Sequence, residues 1–359
     1  MQITNSKAKT NLKNFTLDEL EEWVAALGEK PFRARQIFNH LYARNVTSWD
    51  ECTDLSRSFR ARMEAGSTIE ALSPLRVDEA PDGTRKYLFG LRDGNFVESV
   101  LVADPSRCTL CVSSQAGCAL GCKFCLTGSW GFKRNLETAE IVEQVCHGLR
   151  DPKLGRRLSS VVFMGMGEPL ANYEQVARAI RIITDPNGLM FSHRRVTLST
   201  VGLIPELRRL GMETQVNLAV SLNAPDDKLR DELMPINRKY PLGALMKALR
   251  EYPLAPRKRI TFEYVLLDGV NDSPRQAKDL VRLLDGAPSK VNLIAFNPHP
   301  GTVYRRPPPE RIMQFQDVLR KANLTAIIRK SRGSEISAAC GQLAAVDRDA
   351  SILRGAPGG

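Results

Sequence analysis

The amino-acid sequence predicts an α/β protein whose main part is a partial (β/α)6 barrel, preceded by a small helical domain and a β-hairpin linker. Three observations predict this architecture. Apolar strand patterns alternate with helix patterns from about residue 108, residues 14–65 show helical periodicity, and residues 71–103 show strands separated by tight turns. Parallel strands with right-handed helical crossovers form a curled sheet, and its ligand site lies at the carboxyl ends of the strands.

The helical domain is expected to cover residues 1–70. Thr16 and Glu19 have the spacing of a capping box, and they precede an amphipathic pattern that includes Leu20, Val24 and Leu27. A second helix is expected just after Pro31. This domain is interpreted either as a structural cap on the barrel or as a module that handles nucleic acid.

The linker, residues 71–103, contains a hairpin signal, because two apolar runs flank the turn Asp93-Gly94. The core domain is expected at 104–335 and the C-terminal segment, with Cys340 and a disordered Gly/Pro-rich tail, at 336–359. Barrel strands are predicted at 109–113, 160–164, 195–200, 215–222, 259–267 and 290–297, with a last strand at 324–330. Helices are predicted at 137–149, 171–185, 204–210, 227–233, 242–251, 273–285 and 308–322.

The charge of the chain points to a basic surface. The formal net charge is +11, and residues 1–70 hold equal numbers of acidic and basic side chains, so the excess lies beyond residue 70. Such a field favours a polyanion such as nucleic acid, although a generically basic enzyme fits the charge equally well. Basic pairs beyond residue 70 include Lys133-Arg134, Arg156-Arg157, Arg194-Arg195, Arg305-Arg306, and Lys330 with Arg332.

The sequence carries no signal for a membrane or for export. No apolar run approaches the roughly 20 residues needed to cross a bilayer, and the first residues lack the charged-then-apolar pattern of a secretory signal. We therefore expect a cytoplasmic protein, without a membrane partner and monomeric. In a reducing compartment the eight cysteines are not expected to form structural disulfides.

The cysteines themselves give the strongest chemical signal. Cys118, Cys122 and Cys125 form a C-x3-C-x2-C motif after the first predicted barrel strand. Soft thiolates select zinc or iron–sulfur clusters, but structural zinc needs four ligands, and no Cys or His pair follows to complete the set. Three thiolates suit a [4Fe–4S] cluster that leaves one iron open. The motif therefore favours a cluster over zinc or inert cysteines.

Further stretches carry a resemblance to a known family. The cysteine spacing resembles the signature of the radical S-adenosylmethionine (SAM) superfamily. Gly-Glu-Pro at 167–169, Met-Pro-Ile-Asn-Arg at 234–238, the stretches at 108–118 and 262–272, and Ala-Cys-Gly-Gln at 339–342 are similar to the RlmN family of dual-specificity RNA adenine-C2 methyltransferases. The resemblance runs from about residue 14 to 345. It implies a [4Fe–4S] cluster and SAM as cofactors, in a radical SAM barrel.

The resemblance also implies a reaction and its substrates. The expected substrates are 23S ribosomal RNA, at the peptidyl-transferase centre, and tRNA, at the adenine just 3′ of the anticodon. Adenine C2 is electron-poor and has no acidic proton, so a polar methyl transfer lacks a nucleophile. The family uses two SAM molecules per methylation: one methylates the cysteine matching Cys340, and the other is cleaved to a radical that activates this methyl group. Cys111 then displaces the product through a transient disulfide, and Glu98 removes the C2 proton.

The SAM contacts implied by the resemblance lie at the ends of strands, where a barrel places its ligand groups. Asn223 stands where the family usually has His, so an imidazole role there is in question while a backbone contact survives. The expected contacts are Gly167 and Glu168 for the methionyl amino group, Ser199, Ser221, Leu222 and Asn223 for the ribose and carboxylate, and Asn297 for the adenine.

The residues alone leave several alternatives open. Without the resemblance, Cys340 is interpreted as a small buried apolar residue and Glu98 as a solvent-facing carboxylate. Cys111 shares a strand face with Thr109 and Ser113, which points it toward the barrel mouth. A C8-methylating relative of the same family and a non-catalytic iron–sulfur RNA-binding regulator are the alternative functions. The enzyme would also need an electron donor, such as reduced flavodoxin or ferredoxin.

Overall fold

A computed structural model describes residues 9–104, 107–151, 153 and 158–344. Three sequence predictions fall outside these residues: the absence of an N-terminal signal, the basic pair Arg156-Arg157, and the tail beyond residue 344. None of the helices in the described ranges is long and apolar enough to cross a membrane.

The N-terminal region is helical, as predicted. The capping box forms, since Thr16 Oγ1 accepts from the Glu19 N–H at 3.4 Å and Glu19 Oε2 accepts from the Thr16 N–H at 2.9 Å. Leu20 and Val24 are buried, but Leu27 lies past the end of the helix and is exposed. A parallel strand pair ties the two ends of the region together. Its elements are β1 (Thr10–Asn11), α1 (Leu17–Ala26), α2 (Phe32–Tyr42), α3 (Arg57–Gly66) and β2 (Ser67–Thr68).

The next region is an antiparallel meander of three strands, β3 (Pro74–Glu79), β4 (Arg85–Gly90) and β5 (Phe96–Asp104). Strands β4 and β5 form the hairpin predicted around Asp93-Gly94. The meander differs from the predicted linker in one respect. β5 pairs antiparallel with β6 (Arg107–Cys111), so the meander extends the sheet of the barrel.

The main sheet confirms the predicted α/β class. Within the described residues it has ten strands, and seven of them run parallel in the order β6-β9-β10-β11-β12-β13-β14. Each predicted barrel strand is present within two residues of its expected ends. The parallel strands after β6 are β9 (Leu158–Phe163), β10 (Val196–Thr200), β11 (Asn217–Ser221), β12 (Ile260–Leu266), β13 (Ser289–Ala295) and β14 (Ala326–Arg329), and a separate short pair is formed by β7 (Gln115–Gly117) and β8 (Phe132–Asn135).

Helices connect the parallel strands and pack on the sheet. Val176, Ile180 and Ile183 of one of them are buried at helical spacing, so this helix contributes an apolar stripe to the main core. The short first helix follows the cysteine motif directly. The helices are α4 (Leu126–Ser129), α5 (Thr138–Arg150), α6 (Tyr173–Thr184), α7 (Ile204–Glu213), α8 (Asp227–Leu233), α9 (Leu242–Arg250), α10 (Pro274–Leu284) and α11 (Pro309–Lys321).

A buried charge cluster joins the helical region to α5. Lys13 and Glu143 form an ion pair in which both side chains are inaccessible to solvent. Glu143 also accepts hydrogen bonds from Arg150 Nη2 at 2.9 Å and from the Leu72 N–H at 3.0 Å. The helical region therefore docks on the barrel through a carboxylate whose two oxygens are both engaged.

Candidate active site

A cavity of about 170 Å³ lies at the carboxyl ends of the parallel strands. We call it the strand-end cavity. It brings together residues that are far apart in the sequence, because parallel strands all deliver their carboxyl ends to one edge. Its polar lining includes Cys118, Cys122 and Cys125, then Gly167, Glu168, Ser199, Thr200, Ser221 and Asn223, then Glu263, Arg329 and Cys340.

The cysteine loop is shaped by the β7–β8 pair. Gly117 has φ +74°, and a Cβ there would lie 1.9 Å from the carbonyl oxygen of Gly131, so only glycine fits. The N–H of Cys118 donates to that same carbonyl at 3.1 Å. This close approach of the two backbones starts the turn that carries the three thiols into the cavity.

The three thiols fit a multinuclear cluster better than a single ion. Among the described residues, no three Cys, His, Asp or Glu side chains converge on one metal position. In a cluster each thiolate binds a different iron, so the sulfurs need not converge on one point. Burial raises the pKa of Cys118 to about 11 and also raises that of Cys122, with Cys125 adding repulsion to both. Bound iron would supply the positive charge that lets the thiols ionise together.

Glu168 is a buried carboxylate in the wall of the strand-end cavity. Its side chain is 3 % exposed, and its oxygens accept from the N–H groups of Leu170 at 3.0 Å and Val201 at 2.9 Å. Burial raises its pKa to about 7, with these hydrogen bonds acting in the opposite direction. None of the donors is a cation, so a ligand ammonium group would stabilise the ionised carboxylate.

The remaining expected SAM contacts divide into two groups. Ser199, Ser221 and Asn223 line the cavity, and Asn223 has φ +60°, a conformation that Asn adopts more readily than most residues. The Asn223 Oδ1 accepts from the Val265 N–H at 2.8 Å, so this side chain helps to hold the backbone around the cavity in place. The second group consists of Leu222 and Asn297. Leu222 is completely buried, and Asn297 Nδ2 donates to the carbonyl oxygen of Cys340 at 3.4 Å.

Cys340 lies at the junction of two cavities. It lines the strand-end cavity and also a second cavity of about 380 Å³, which we call the Cys111 cavity because Cys111 lines it. Both thiols are free. Burial and, to a smaller extent, the nearby Cys340 thiol raise the pKa of Cys111 to about 12. Cys340 is accessible to solvent, yet the surrounding protein atoms still raise the pKa of its thiol.

The cysteine loop holds the C-terminal segment in place. The N–H of Leu126 donates to the carbonyl of Gly341 at 2.9 Å, and Thr127 Oγ1 donates to that of Leu343 at 2.6 Å. Leu126 directly follows Cys125, so the position of Cys340 depends on the fold of the cysteine motif. The contact spans more than two hundred residues of sequence.

Glu98 lies in a neighbouring cavity, which it lines with Lys86 and Ala344. Its Oε1 is 3.0 Å from Lys86 Nζ, and its Oε2 accepts from the Ala344 N–H at 3.0 Å. Residues of the C-terminal segment therefore bind Glu98 and place Cys340 at the same time.

The structure adds two residues that the sequence analysis did not select, Glu263 and Arg329. Both line the strand-end cavity beside Cys340. A signal existed for Glu263, because a single acidic residue interrupts the apolar strand Ile260–Leu266. Arg329 ends the last strand, where nothing in its local sequence distinguishes it from the other basic residues.

Comparisons with known proteins match nearly the whole chain. A model of the radical SAM superfamily matches residues 112–281, and one described as the ribosomal RNA large subunit methyltransferase N-terminal domain matches residues 10–69. A protein of Syntrophobacter fumaroxidans named dual-specificity RNA methyltransferase RlmN is 64 % identical over 334 residues, which cover 93 % of this chain and 98 % of the relative. The chain belongs to the RlmN family.

Other members and a solved structure agree with this. The RlmN of Geobacter sulfurreducens is 54 % identical over 333 residues, covering 93 % of this chain and 91 % of its own. The crystal structure of a radical SAM methyltransferase from Sphaerobacter thermophilus superimposes with a TM-score of 0.89 at 48 % identity, covering 94 % of this chain and all of that one. The radical SAM barrel predicted for this RlmN-family chain is thus confirmed.

Proposed function

We propose that this RlmN-family chain methylates C2 of an adenine in 23S ribosomal RNA and of the adenine 3′ of the anticodon in tRNAs. One observation carries the proposal: Cys340 lines both the cavity that holds the cysteine triplet and the cavity that holds Cys111. A thiol in that position has access to the methyl donor on one side and to a second thiol on the other. The reaction needs both contacts.

In this proposal the strand-end cavity holds both cofactors. Cys118, Cys122 and Cys125 bind the [4Fe–4S] cluster, and Glu168 binds the amino group of SAM. Ser199, Ser221, Leu222, Asn223 and Asn297 complete the SAM site, Leu222 through its backbone. When bound, these cofactors supply a methyl group and, by reductive cleavage, a radical that removes hydrogen.

The protein residues then act in sequence. Cys340 receives the methyl group on its sulfur and, after hydrogen abstraction, its methylene carbon bonds to adenine C2. Glu98 accepts the C2 proton, which requires the C-terminal segment to release the contact between Glu98 and Ala344. Cys111 attacks the sulfur of Cys340, and the product leaves as the disulfide forms. An electron donor such as reduced flavodoxin or ferredoxin restores the thiols and drives the next cleavage.

The charge around the Cys111 cavity supports an RNA substrate. Arg107, Arg329, Lys330 and Arg332 line it, and Asp104 is the acidic residue among its lining. Basic side chains at the mouth favour a phosphate backbone next to the thiol that reacts with the base. We place the enzyme in the cytoplasm, where ribosomal and transfer RNA are found.

Nucleoside mass spectrometry tests the proposal. The reconstituted enzyme is incubated anaerobically with SAM, a reductant, and either a 23S rRNA fragment or unmodified tRNA. We expect 2-methyladenine in both RNAs, and none with the Cys340→Ala variant. 8-Methyladenine in place of 2-methyladenine would contradict C2 chemistry, and methylation of rRNA alone would remove the tRNA half of the proposal.

A further inference from the structure

Glu263 is a buried carboxylate with one oxygen left unpaired. It lies on β12 between Ser221 of β11 and Asn292 of β13, and the three residues are in register across the sheet. The residue is 5 % exposed. Its Oε1 accepts from Asn292 Nδ2 at 2.8 Å, whereas Oε2 has no hydrogen-bond partner within the described ranges. Such an atom at the wall of a ligand cavity calls for a functional explanation.

The cations near Glu263 do not engage this oxygen. The closest is Arg329 on β14, whose Nη1 lies 4.0 Å from Oε1, beyond hydrogen-bond distance. Arg329 also lines both cavities that contain Cys340. A cation and a carboxylate, of which one oxygen has no hydrogen-bond partner among the described residues, therefore line the same cavity as this thiol.

We infer that Glu263 Oε2 is the base that accepts the proton of the Cys340 thiol when this thiol is methylated. The inference rests on the proposed function, in which Cys340 carries the methyl group. A bond forms between Cys340 Sγ and the methyl carbon of SAM, and the bond from that carbon to the sulfonium sulfur breaks. Its electron pair stays on the leaving sulfur, giving S-adenosylhomocysteine, while the thiol proton passes to Glu263. No oxidant or reductant takes part.

The electrostatics of the cavity suit this transfer. Burial is the largest effect on Glu263 and raises its pKa, against the smaller opposite effects of Arg329, Asn292 and Lys290. The surrounding protein atoms likewise raise the pKa of the Cys340 thiol, although it is accessible to solvent, whereas Arg329 lowers it. The thiol thus stays protonated until the methyl donor arrives. Arg329 then stabilises the developing thiolate while Glu263 takes the proton.

The other buried carboxylates near the C-terminal segment are already occupied. Both oxygens of Glu168 accept backbone N–H groups. Glu98 is engaged by Lys86 and by the Ala344 N–H, and it lines a different cavity. Glu263 is therefore the carboxylate of this site that is free to receive a proton.

The test compares two reactions of Cys340. Peptide mass spectrometry follows S-methylation of Cys340 by SAM in the reconstituted holoenzyme, and it separately follows alkylation of the same thiol by iodoacetamide without SAM. In Glu263→Gln, which preserves the acceptor for Asn292, we expect methylation to slow by about 10²-fold. We expect alkylation to slow as well at neutral pH, because it needs the same thiol to lose its proton, and we expect both rates of the variant to approach those of wild type as the pH rises, because the thiol then ionises without a base.

Asp272 provides a matched control. It is 1 % exposed, and its Oδ2 also lacks a hydrogen-bond partner in the described part of the chain, but it lies outside the lining of the strand-end cavity. Asp272→Asn should methylate Cys340 at the wild-type rate. As a second variant, Glu263→Ala should regain methylation when acetate is added, because acetate can replace the missing carboxylate.

The outcomes separate the inference from the proposed function. If wild-type enzyme forms no S-methylcysteine at Cys340, the proposed function fails and the inference fails with it. If wild type forms it and Glu263→Gln keeps the same rate, the inference alone is overturned. If the variant's methylation deficit is the same at every pH and its alkylation keeps the wild-type rate, Glu263 merely positions the reactants, and its role as a base is likewise refuted.

Discussion

Two buried glutamates of this chain have opposite surroundings. Glu143, at the junction between the helical region and α5, is 1 % exposed and is bound by Lys13, Arg150 and the Leu72 N–H. Glu263, in the strand-end cavity, is almost as buried but has one unpaired oxygen, and Arg329 stands 4.0 Å from the other. Both carboxylates lie inside a folded protein, yet only the first is fully paired.

The difference separates structural from chemical roles. A buried charge is costly unless it is paired, so a fully engaged carboxylate is what a rigid junction requires. A buried carboxylate with an unpaired oxygen keeps the free-energy cost of burial. It can, however, hold or receive a proton or bind a ligand cation. We therefore expect substitutions in the cavity to change activity with little effect on stability, and substitutions at the junction to do the reverse.

The largest effect is expected from Cys340→Ala. The variant should form no methylated RNA, because no other residue can carry the methyl group in the proposed mechanism. Cys340 is solvent-accessible, so the free energy of unfolding should change by no more than about 0.5 kcal/mol. Nucleoside mass spectrometry and urea unfolding measure the two quantities. A large loss of stability together with residual methylation of RNA would contradict the expectation that substitutions in the cavity change activity rather than stability.

Cys111→Ala should stop the reaction at a later point. Without the second thiol, the bond between Cys340 and the RNA has no nucleophile to cleave it. We expect the enzyme to accumulate as a covalent RNA adduct that survives denaturing gel electrophoresis. Free methylated RNA at the wild-type rate would exclude Cys111 from this step.

At the junction, Lys13→Met should act on stability alone. Removal of one partner from a buried ion pair lowers the free energy of unfolding by about 3–5 kcal/mol, because Glu143 stays buried after it loses the ammonium group of Lys13. Urea unfolding should show this loss, while the methylation rate per folded molecule remains that of wild type. An unfolding curve identical to wild type would show that the Lys13–Glu143 pair does not hold the junction.

The smallest effect is expected at an exposed ion pair. Lys153 Nζ lies 2.7 Å from Glu79 Oε2, but the two side chains are 63 % and 43 % exposed. Solvent screens such a pair, so Lys153→Met should cost no more than about 1 kcal/mol. Because it removes the same charge as Lys13→Met, it serves as the matched control. Equal losses in the two variants would mean that burial does not set the strength of the junction.

The sequence predicted the barrel well because its signals are local. Apolar runs and turn residues fix the strands within two residues, and the capping box at Thr16 and Glu19 forms as expected. The short β7–β8 pair escaped prediction, since strands of three and four residues carry little pattern. The pairing of β5 with β6 was also not predicted, because a turn signal indicates that two strands pair but not which sheet they belong to.

The site was predictable where a motif is contiguous and less so where it is assembled in space. Cys118, Cys122 and Cys125 lie in one loop, so their shared cavity follows from spacing. Glu263 and Arg329 come from different strands, and their proximity to Cys340 appears only in the folded chain. The sequence analysis also did not predict that Glu98 and Cys111 would line different cavities.

The most direct test of the central claim follows the methyl group itself. Holoenzyme cleared of bound methyl is supplied with SAM carrying a deuterated methyl group, then with RNA, and both the Cys340 peptide and the RNA nucleosides are analysed over time. We predict that the label appears on Cys340 first and then in 2-methyladenine as the peptide loses it. Labelled adenine formed while Cys340 stays unlabelled would contradict the account.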